Sequence, residues 1–143
     1  MTTDSNVHTV IHLHTPANSM VVIPRGPKAY IITYSGVILK TFCNDISLTK
    51  DEKNDSTIHD DFVAGVVSPS NKWLYAVTSG GVSICFDMQS AKVEKIIRDF
   101  AIESTGGKGN YEIAGIVHHP HKGILGAYST SSIQKRGLLT IWK

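Results

Sequence analysis

"VAGVVSPSNKWLYAVT", residues 63–78, decides the fold class of this chain. A run rich in β-branched residues enters a polar turn that holds Pro69, and a second such run ends at Thr78. Short apolar runs bounded by Pro, Ser and Gly are typical of β-strands joined by tight turns. The stretch therefore predicts two antiparallel strands that lie side by side in a sheet.

Segments of the same kind occupy much of the chain, and no stretch has a sustained helical period. The predicted strands are residues 20–23, 29–33, 36–42, 62–67, 73–78, 81–86 and 138–142. Their continuous apolar runs are those of strands whose sheets are buried on both faces. We therefore predict an all-β protein.

The arrangement around Pro69 occurs three times. "MVVIPRGPKAYIIT" (20–33) and "AGIVHHPHKGILGAYS" (114–129) also run from an apolar strand through a Pro-containing turn into a second strand. A shift of 45 residues brings Pro24 onto Pro69, and a shift of 51 residues brings Pro69 onto Pro120. The three prolines are therefore expected to hold equivalent structural positions in three repeats.

A third strand completes the pattern. "GGVSICFD" (80–87) matches "GLLTIWK" (137–143), which places Phe86 and Trp142 at equivalent strand ends, packed between repeats. A period of about 40–50 residues with four strands per unit is typical of β-propeller blades. We expect a single domain over residues 1–143, with blades at about 18–43, 62–97 and 111–143 and an extra outer strand at 8–15.

The turn of the third repeat carries three histidines, His118, His119 and His121, around Pro120. One hypothesis is a metal site, and with it a small metal-dependent hydrolase that uses this turn. Metal sites usually draw ligands from several directions, with a Cys or carboxylate nearby, and this turn supplies neither. We therefore predict a structural turn with no metal and no cofactor, in which His118 packs uncharged, and the hydrolase is the alternative.

Other stretches do not favour catalysis either. "STGGKGN" (104–110) lacks the spacing of a phosphate-binding loop, and no predicted helix follows it. Neither a Gly-x-Ser-x-Gly elbow nor the helical pattern of zinc proteases occurs in the sequence. The leading interpretation is a binding protein that is not an enzyme.

Composition limits the number of domains, the class of partner and the cellular compartment. The 143 residues, 41% hydrophobic and 18% charged, suffice for one globular domain with its own core. A formal charge of +2 is too small to indicate nucleic acid or an acidic membrane as the main partner. The first ten residues lack the pattern of a signal peptide, so we expect none. No run of about 18 apolar residues occurs, and Cys43 and Cys85 do not form a CxxC pair. We expect a soluble intracellular protein in a reducing compartment.

From about residue 18 to its end, the sequence resembles the last blades of the suppressor-of-mec-and-unc family of WD-repeat splicing factors. "AGIVHHPHKGIL" and the terminal "LLTIWK" carry the resemblance most specifically. The resemblance implies a seven-bladed WD propeller that docks proteins in the nuclear spliceosome, with the RED protein as its usual partner. The expected location is therefore the nucleus.

The sequence departs from that family in several respects. It has no counterpart of the family's N-terminal helical dimerisation region or of the blades before the final three. The WD dipeptide survives only as "FD" (86–87) and "WK" (142–143). In the first repeat "YSG" leads straight into "VILKTF" (37–42), so either a strand has been lost or this segment is the third strand and the outer strand is missing.

Three long polar segments are expected to meet on one face of the blades, where binding usually occurs in rigid scaffolds. They are residues 44–61 and 98–110, which connect blades, and 130–136, which lies within the third blade. The alternative is that they are only tolerated surface insertions. The candidate partner-binding residues are Asp51, Lys53, Asp55, Lys108, Asn110, Lys135 and Arg136.

Three blades form an open arc, and propellers typically close with four to eight. The last repeat ends without a fourth strand, whereas residues 8–15 form a strand that precedes the first full repeat. Unpaired strand edges invite pairing with a second chain. We expect a homodimer that closes a six-bladed ring by exchanging this strand, and the competing hypothesis is a fragment whose missing blades close the ring.

Overall fold

The computed structural model describes residues 6–44, 61–97, 112–131 and 136–143. These residues form eleven β-strands and contain no helix, which confirms the all-β prediction. No helix in the described part of the chain could therefore span a membrane. The strands are β1 (Val7–Leu13), β2 (Ser19–Pro24), β3 (Lys28–Thr33), β4 (Ile38–Cys43), β5 (Phe62–Val67), β6 (Trp73–Thr78), β7 (Ser83–Asp87), β8 (Val93–Ile97), β9 (Glu112–His118), β10 (Leu125–Ser131) and β11 (Arg136–Trp142).

The strands form three antiparallel sheets, and each sheet is ordered as the chain runs. The first sheet contains β1 to β4, the second contains β5 to β8, and the third contains β9 to β11. The first strands of neighbouring sheets lie against one another, β1 against β5 and β5 against β9. This is the stacking of consecutive propeller blades, with the first strand of each blade innermost.

A cluster of aromatic residues fills the layer between the first and second sheets. Phe42, Phe62 and Phe86 are each at most 1% exposed. The Phe86 ring lies with its centroid 5.4 Å from that of Phe42 and 6.1 Å from that of Phe62, both edge to face. Apolar residues from β2, β6 and β7 complete this cluster, so the second sheet is buried on this face.

A second apolar cluster lies between the second and third sheets. It contains Val63, Ala64 and Val77 of the second sheet and Ile116 and Leu125 of the third. Because the second sheet is covered on both faces, its strands read as continuous apolar runs, as the sequence predicted. Two buried hydroxyls that face this layer, those of Ser83 and Ser129, have no hydrogen-bond partner among the described residues.

The first blade differs from the expected arrangement. Residues 8–15 do not form an extra outer strand: Val7–Leu13 is β1, which pairs with β2 as the innermost strand of the first sheet. The turn between first and second strands therefore contains Pro16, and Pro24 lies at the end of the second strand. Pro69 and Pro120 do share a turn position, whereas Pro24 does not share it.

Two similar hairpins explain why the sequence alignment placed the first blade one strand out of register. In both, a Thr N–H donates to the carbonyl of a Val four residues later, Thr33 to Val37 and Thr78 to Val82, at 2.9 Å each. One hairpin joins the third and fourth strands of its sheet, and the other joins the second and third. With β1 included, the first sheet has four strands, so neither the third nor the outer strand is missing.

The third sheet has three strands in the described part of the chain, with β11 at its edge. Its outer face is apolar and exposed. Four side chains on it are more than half exposed: Val117 at 63%, Tyr128 at 51%, Leu139 at 68% and Ile141 at 61%. The first sheet exposes apolar side chains at the other end of the arc, among them Val10 and Leu39. The described residues thus form an open arc.

Candidate functional site

The turn between β2 and β3 meets the connection between the first two sheets. The Gly26 carbonyl accepts the Phe62 N–H at 2.8 Å, and the Pro27 carbonyl accepts the Asn44 N–H at 2.8 Å. In the second sheet the Ser79 N–H donates to the Asp61 carbonyl at 2.9 Å. Backbone hydrogen bonds therefore hold both ends of the connection between the first and second sheets, one end against the β2–β3 turn and the other against the β2–β3 and β6–β7 turns. We call residues 25–27, 44, 61 and 79–81 the loop face.

One of the seven candidate partner-binding residues lies in the described part of the chain. Asp51, Lys53, Asp55, Lys108, Asn110 and Lys135 lie outside the described residues, and Arg136 is the first residue of β11. The segment that holds the first three of them begins after Asn44 and ends before Asp61, both of which lie on the loop face. Their grouping on this face stays a prediction.

Backbone hydrogen bonds form the histidine turn, at the opposite end of the strands. The His119 N–H donates to the Ile124 carbonyl at 2.9 Å, just as the Ser68 N–H donates to the Trp73 carbonyl at 2.8 Å. The Ser68 hydroxyl also accepts the Trp73 N–H, at 3.0 Å. In the third blade the Nδ1 atom of His119 accepts the His121 N–H, at 3.1 Å. The residue that begins the turn thus supplies a side-chain acceptor in both blades, a hydroxyl for the amide five residues on and an imidazole nitrogen for the amide two residues on.

The neighbouring histidine is oriented by its backbone. Nδ1 of His118 lies 2.6 Å from the His119 carbonyl oxygen, and it must carry the proton because a carbonyl only accepts. The His118 ring also lies beside Tyr75, with centroids 5.7 Å apart. Within the described residues no three His, Cys, Asp or Glu side chains are arranged to hold a metal ion. His118 and His119 are thus held by hydrogen bonds within the turn, and the absence of a metal role for them stays a prediction.

Phe86 and Trp142 occupy corresponding places in their sheets. Phe86 pairs with Leu74, and Trp142 pairs with Leu125, which is the corresponding residue of the next blade. Each aromatic side chain packs toward the preceding sheet, Phe86 fully buried and Trp142 half-buried. The two interfaces between sheets therefore use an aromatic residue at the same point, but only the first encloses it.

The "FD" dipeptide ends β7, and its aspartate holds the turn that follows. Oδ1 of Asp87 accepts the Ser90 N–H at 2.6 Å and the Gln89 N–H at 2.9 Å. The hydrogen bonds from Ser90, backbone first and hydroxyl second, lower the pKa of the Asp87 carboxyl. The Lys40 ammonium of the first sheet reaches the same turn and donates to the carbonyls of Met88, at 3.0 Å, and Gln89. This cation therefore fixes the outer edge of the first interface.

A cleft of about 510 Å³ opens at the equivalent place in the second interface. Tyr75 and Cys85 line its floor, and burial raises the pKa of both the phenol and the thiol. The lining residues are Tyr75, Cys85, Lys95, Ile96, Ile97, Gly123, Leu125, Trp142 and Lys143. Sequence reasoning missed this cleft, since it arises from the relative placement of two sheets and has no local motif.

No family model matches the chain. Among solved structures, the β-propeller domain of Cps50 (Swd1) from Myceliophteria thermophila is similar, with a TM-score of 0.58 and 10% sequence identity over 99% of this chain and 40% of that one. The WD40 repeats of RRP9 are similar with a TM-score of 0.61 and 8% identity, over 96% of this chain and 39% of that one. The predicted WD-repeat propeller fold is confirmed, and the chain spans less than half the length of either structure.

Proposed function

We propose that this chain is part of a non-catalytic WD-repeat scaffold that binds other proteins. The fold carries the proposal, because the three stacked antiparallel sheets match the blades of WD40 propellers. A WD40 propeller arc supports this function, since its blades present their faces and loops to partners.

The finer assignment is a pre-mRNA splicing factor that acts in the nucleus and binds the RED protein. It rests on the resemblance of residues 18–143 to the suppressor-of-mec-and-unc family. The loop face is the proposed docking surface, because two inter-strand turns and the ends of one inter-blade connection meet there. The similarity to solved propellers supports the fold that this assignment requires.

Further blades of the same polypeptide are the proposed cover for the two open ends of the arc. The chain covers 40% and 39% of the two similar propellers, which supports this proposal. A homodimer that closes a six-bladed ring is the alternative, but β1 is paired in its own sheet and is not the strand to be exchanged. Light scattering on the purified chain distinguishes a dimer from a chain that is monomeric or aggregates through its open ends.

Calorimetric titration with purified RED protein tests the docking proposal. Residues 45–60 are replaced by a short Gly/Ser linker, which leaves the hydrogen-bonded Asn44 and Asp61 in place. The β-sheet circular dichroism should be retained and the affinity for RED should fall. The matched control, Lys122→Ala in the histidine turn, should bind RED like the wild type. Unchanged affinity in the linker variant, or a loss confined to Lys122→Ala, would contradict docking on the loop face.

A further inference from the structure

The turns between the first and second strands of the three sheets lie on one face. Phe62, which begins β5, is hydrogen-bonded to Gly26 in the β2–β3 turn, near the start of β1. His118, which ends β9, lies beside Tyr75, near the start of β6 and the end of β5. The strands β1, β5 and β9 therefore run in the same direction, and the turns that follow them lie at the same end. We call residues 14–18, 68–72 and 119–123 the turn face.

Positive and hydrogen-bond-donating groups dominate the turn face. Its three turns read "HTPAN", "SPSNK" and "HPHKG", which together hold two lysines, three histidines and no carboxylate. The described carboxylates at this end of the strands, Asp87 and Glu94, lie on the two outer strands of the second sheet. The side chains of the lysines and histidines are all exposed, and they belong to His14, Lys72, His119, His121 and Lys122.

The ammonium of Lys72 is oriented by an aromatic ring. Its Nζ atom lies 4.6 Å from the centroid of the Trp73 ring, which is a cation–π distance. Hydrogen bonds from Ser90 are the main cause of the lowered pKa of Asp87, and Lys72 is a smaller cause. Oδ1 of Asp87 already accepts two amides of its own turn. Lys72 therefore reaches the surface as an oriented cation beside a carboxylate that the fold already uses.

The histidine turn adds a donor whose identity the backbone decides. Nδ1 of His119 accepts the His121 N–H at 3.1 Å, so this nitrogen carries no proton. The proton of the neutral ring is therefore on Nε2, which makes that atom a donor. The His121 ring lies with its centroid 6.3 Å from that of His119, and Lys122 follows in the chain. A carboxylate only accepts hydrogen bonds, so it is the group that these donors suit.

From these observations we infer that the turn face binds an acidic segment of a second partner protein. Carboxylates of the segment contact His119 and Lys122 in the third blade and Lys72 in the second. A nucleic acid fits this face less well, because it offers few lysines to phosphates and because Lys72 covers the Trp73 ring on which a base would stack. The turn face lies opposite the loop face, so the inference does not depend on the proposed function.

Fluorescence anisotropy with three labelled probes tests the inference. The acidic probe is a ten-residue peptide that alternates glutamate with glycine, and the neutral probe has glutamine in place of each glutamate. The third probe is a ten-nucleotide single-stranded RNA. The chain should bind the acidic peptide about tenfold more tightly than the neutral peptide, since several exposed ion pairs each add a small amount. The RNA should bind no more tightly than the acidic peptide.

Charge-reversal variants locate the site. Lys72→Glu and Lys122→Glu should each lower the affinity for the acidic peptide about fivefold. The matched control is Lys28→Glu, an equal change of charge at an exposed residue that begins β3, at the opposite end of the strands. It should leave the affinity unchanged.

His119→Asp separates recognition from folding. An aspartate oxygen accepts the N–H two residues on, as Nδ1 of His119 does, so the turn should be kept while the Nε2 donor is lost. This variant should retain the circular dichroism of the wild type and bind the acidic peptide about tenfold more weakly, because it places a carboxylate where the peptide's carboxylate docks.

Several results would overturn the inference. Equal affinity for the acidic and neutral peptides would exclude recognition of carboxylates, and no binding up to millimolar peptide would exclude the site. Equal losses in Lys28→Glu and Lys122→Glu would reduce the effect to net charge. Tighter binding of the RNA than of the acidic peptide would assign the face to nucleic acid. A chain dimer that Lys122→Glu dissociates would assign it to a second copy.

Discussion

The carboxylate of Asp87 holds the turn that leads from β7 into β8, since it accepts the amides of Gln89 and Ser90. These hydrogen bonds favour the charged form, which is why the pKa of Asp87 lies below its ordinary value. In the unfolded chain they are lost. Asp87 therefore stabilises the fold above its unfolded-state pKa, and this contribution disappears as the pH falls through the lower folded-state pKa.

The substitution Asp87→Asn tests this predicted loss of stability as the pH falls. The Asn carbonyl keeps an acceptor for the turn but does not titrate, so the wild type should be the more stable at neutral pH and should lose that advantage in acid. Urea unfolding over a pH series measures the difference, and carboxyl chemical shifts measure the pKa directly. An Asp87 titration at or above about 3.9 would contradict the assigned hydrogen bonds.

Phe86 and Trp142 hold corresponding positions with different burial, which gives a matched pair of substitutions. Phe86 is 1% exposed between two other phenylalanines, whereas Trp142 lies on the open cleft. Phe86→Ala should cost about 3–5 kcal/mol of unfolding free energy, and Trp142→Ala should cost clearly less. Urea denaturation followed by circular dichroism compares them. Equal costs would mean that the second interface is as closed as the first.

At the scale of the element, the sequence predicted most of the strands and missed the place of one. Apolar runs identified the strands of the second sheet because both faces of that sheet are buried. Val7–Leu13 alternates instead, because β1 ends the arc: His8, Val10 and His12 are exposed, whereas Ile11 is half-buried and Leu13 is buried. A strand with one exposed face reads like an edge strand, so its innermost position could not be predicted from its residues.

The sequence of the turns distinguishes the two possible alignments of the first blade, one with Pro24 and one with Pro16 in the turn between its first and second strands. Pro16 is followed by Asn18, and Pro69 is followed by Asn71. Both asparagines have positive φ, 59° and 54°, a conformation that Asn tolerates better than most residues. This Pro-x-Asn pattern assigns residues 14–18 to the turn between first and second strands. The cleft had no such local signal, since Tyr75, Lys95 and Trp142 are far apart in sequence.

At the scale of the whole molecule, the two interfaces differ in completeness. The first is closed by three phenylalanines and by Lys40 on a neighbouring turn. The second contains a cleft and ends at a strand edge, and the third sheet exposes an apolar face beyond it. Apolar surface and a free edge both favour association. The described arc therefore exposes apolar surface at both ends, and the cleft lies next to the third sheet.

Amide hydrogen exchange followed by NMR on the purified chain tests the central claim, that β1 to β4 form the first blade and β11 is a strand edge. We predict that alternate amides of Thr9–Leu13, those directed at β2, are protected together with their partners in Ser19–Ile23. Alternate amides of β11, those directed away from β10, should exchange rapidly. Rapid exchange throughout Thr9–Leu13, or uniform protection along β11, would contradict the account.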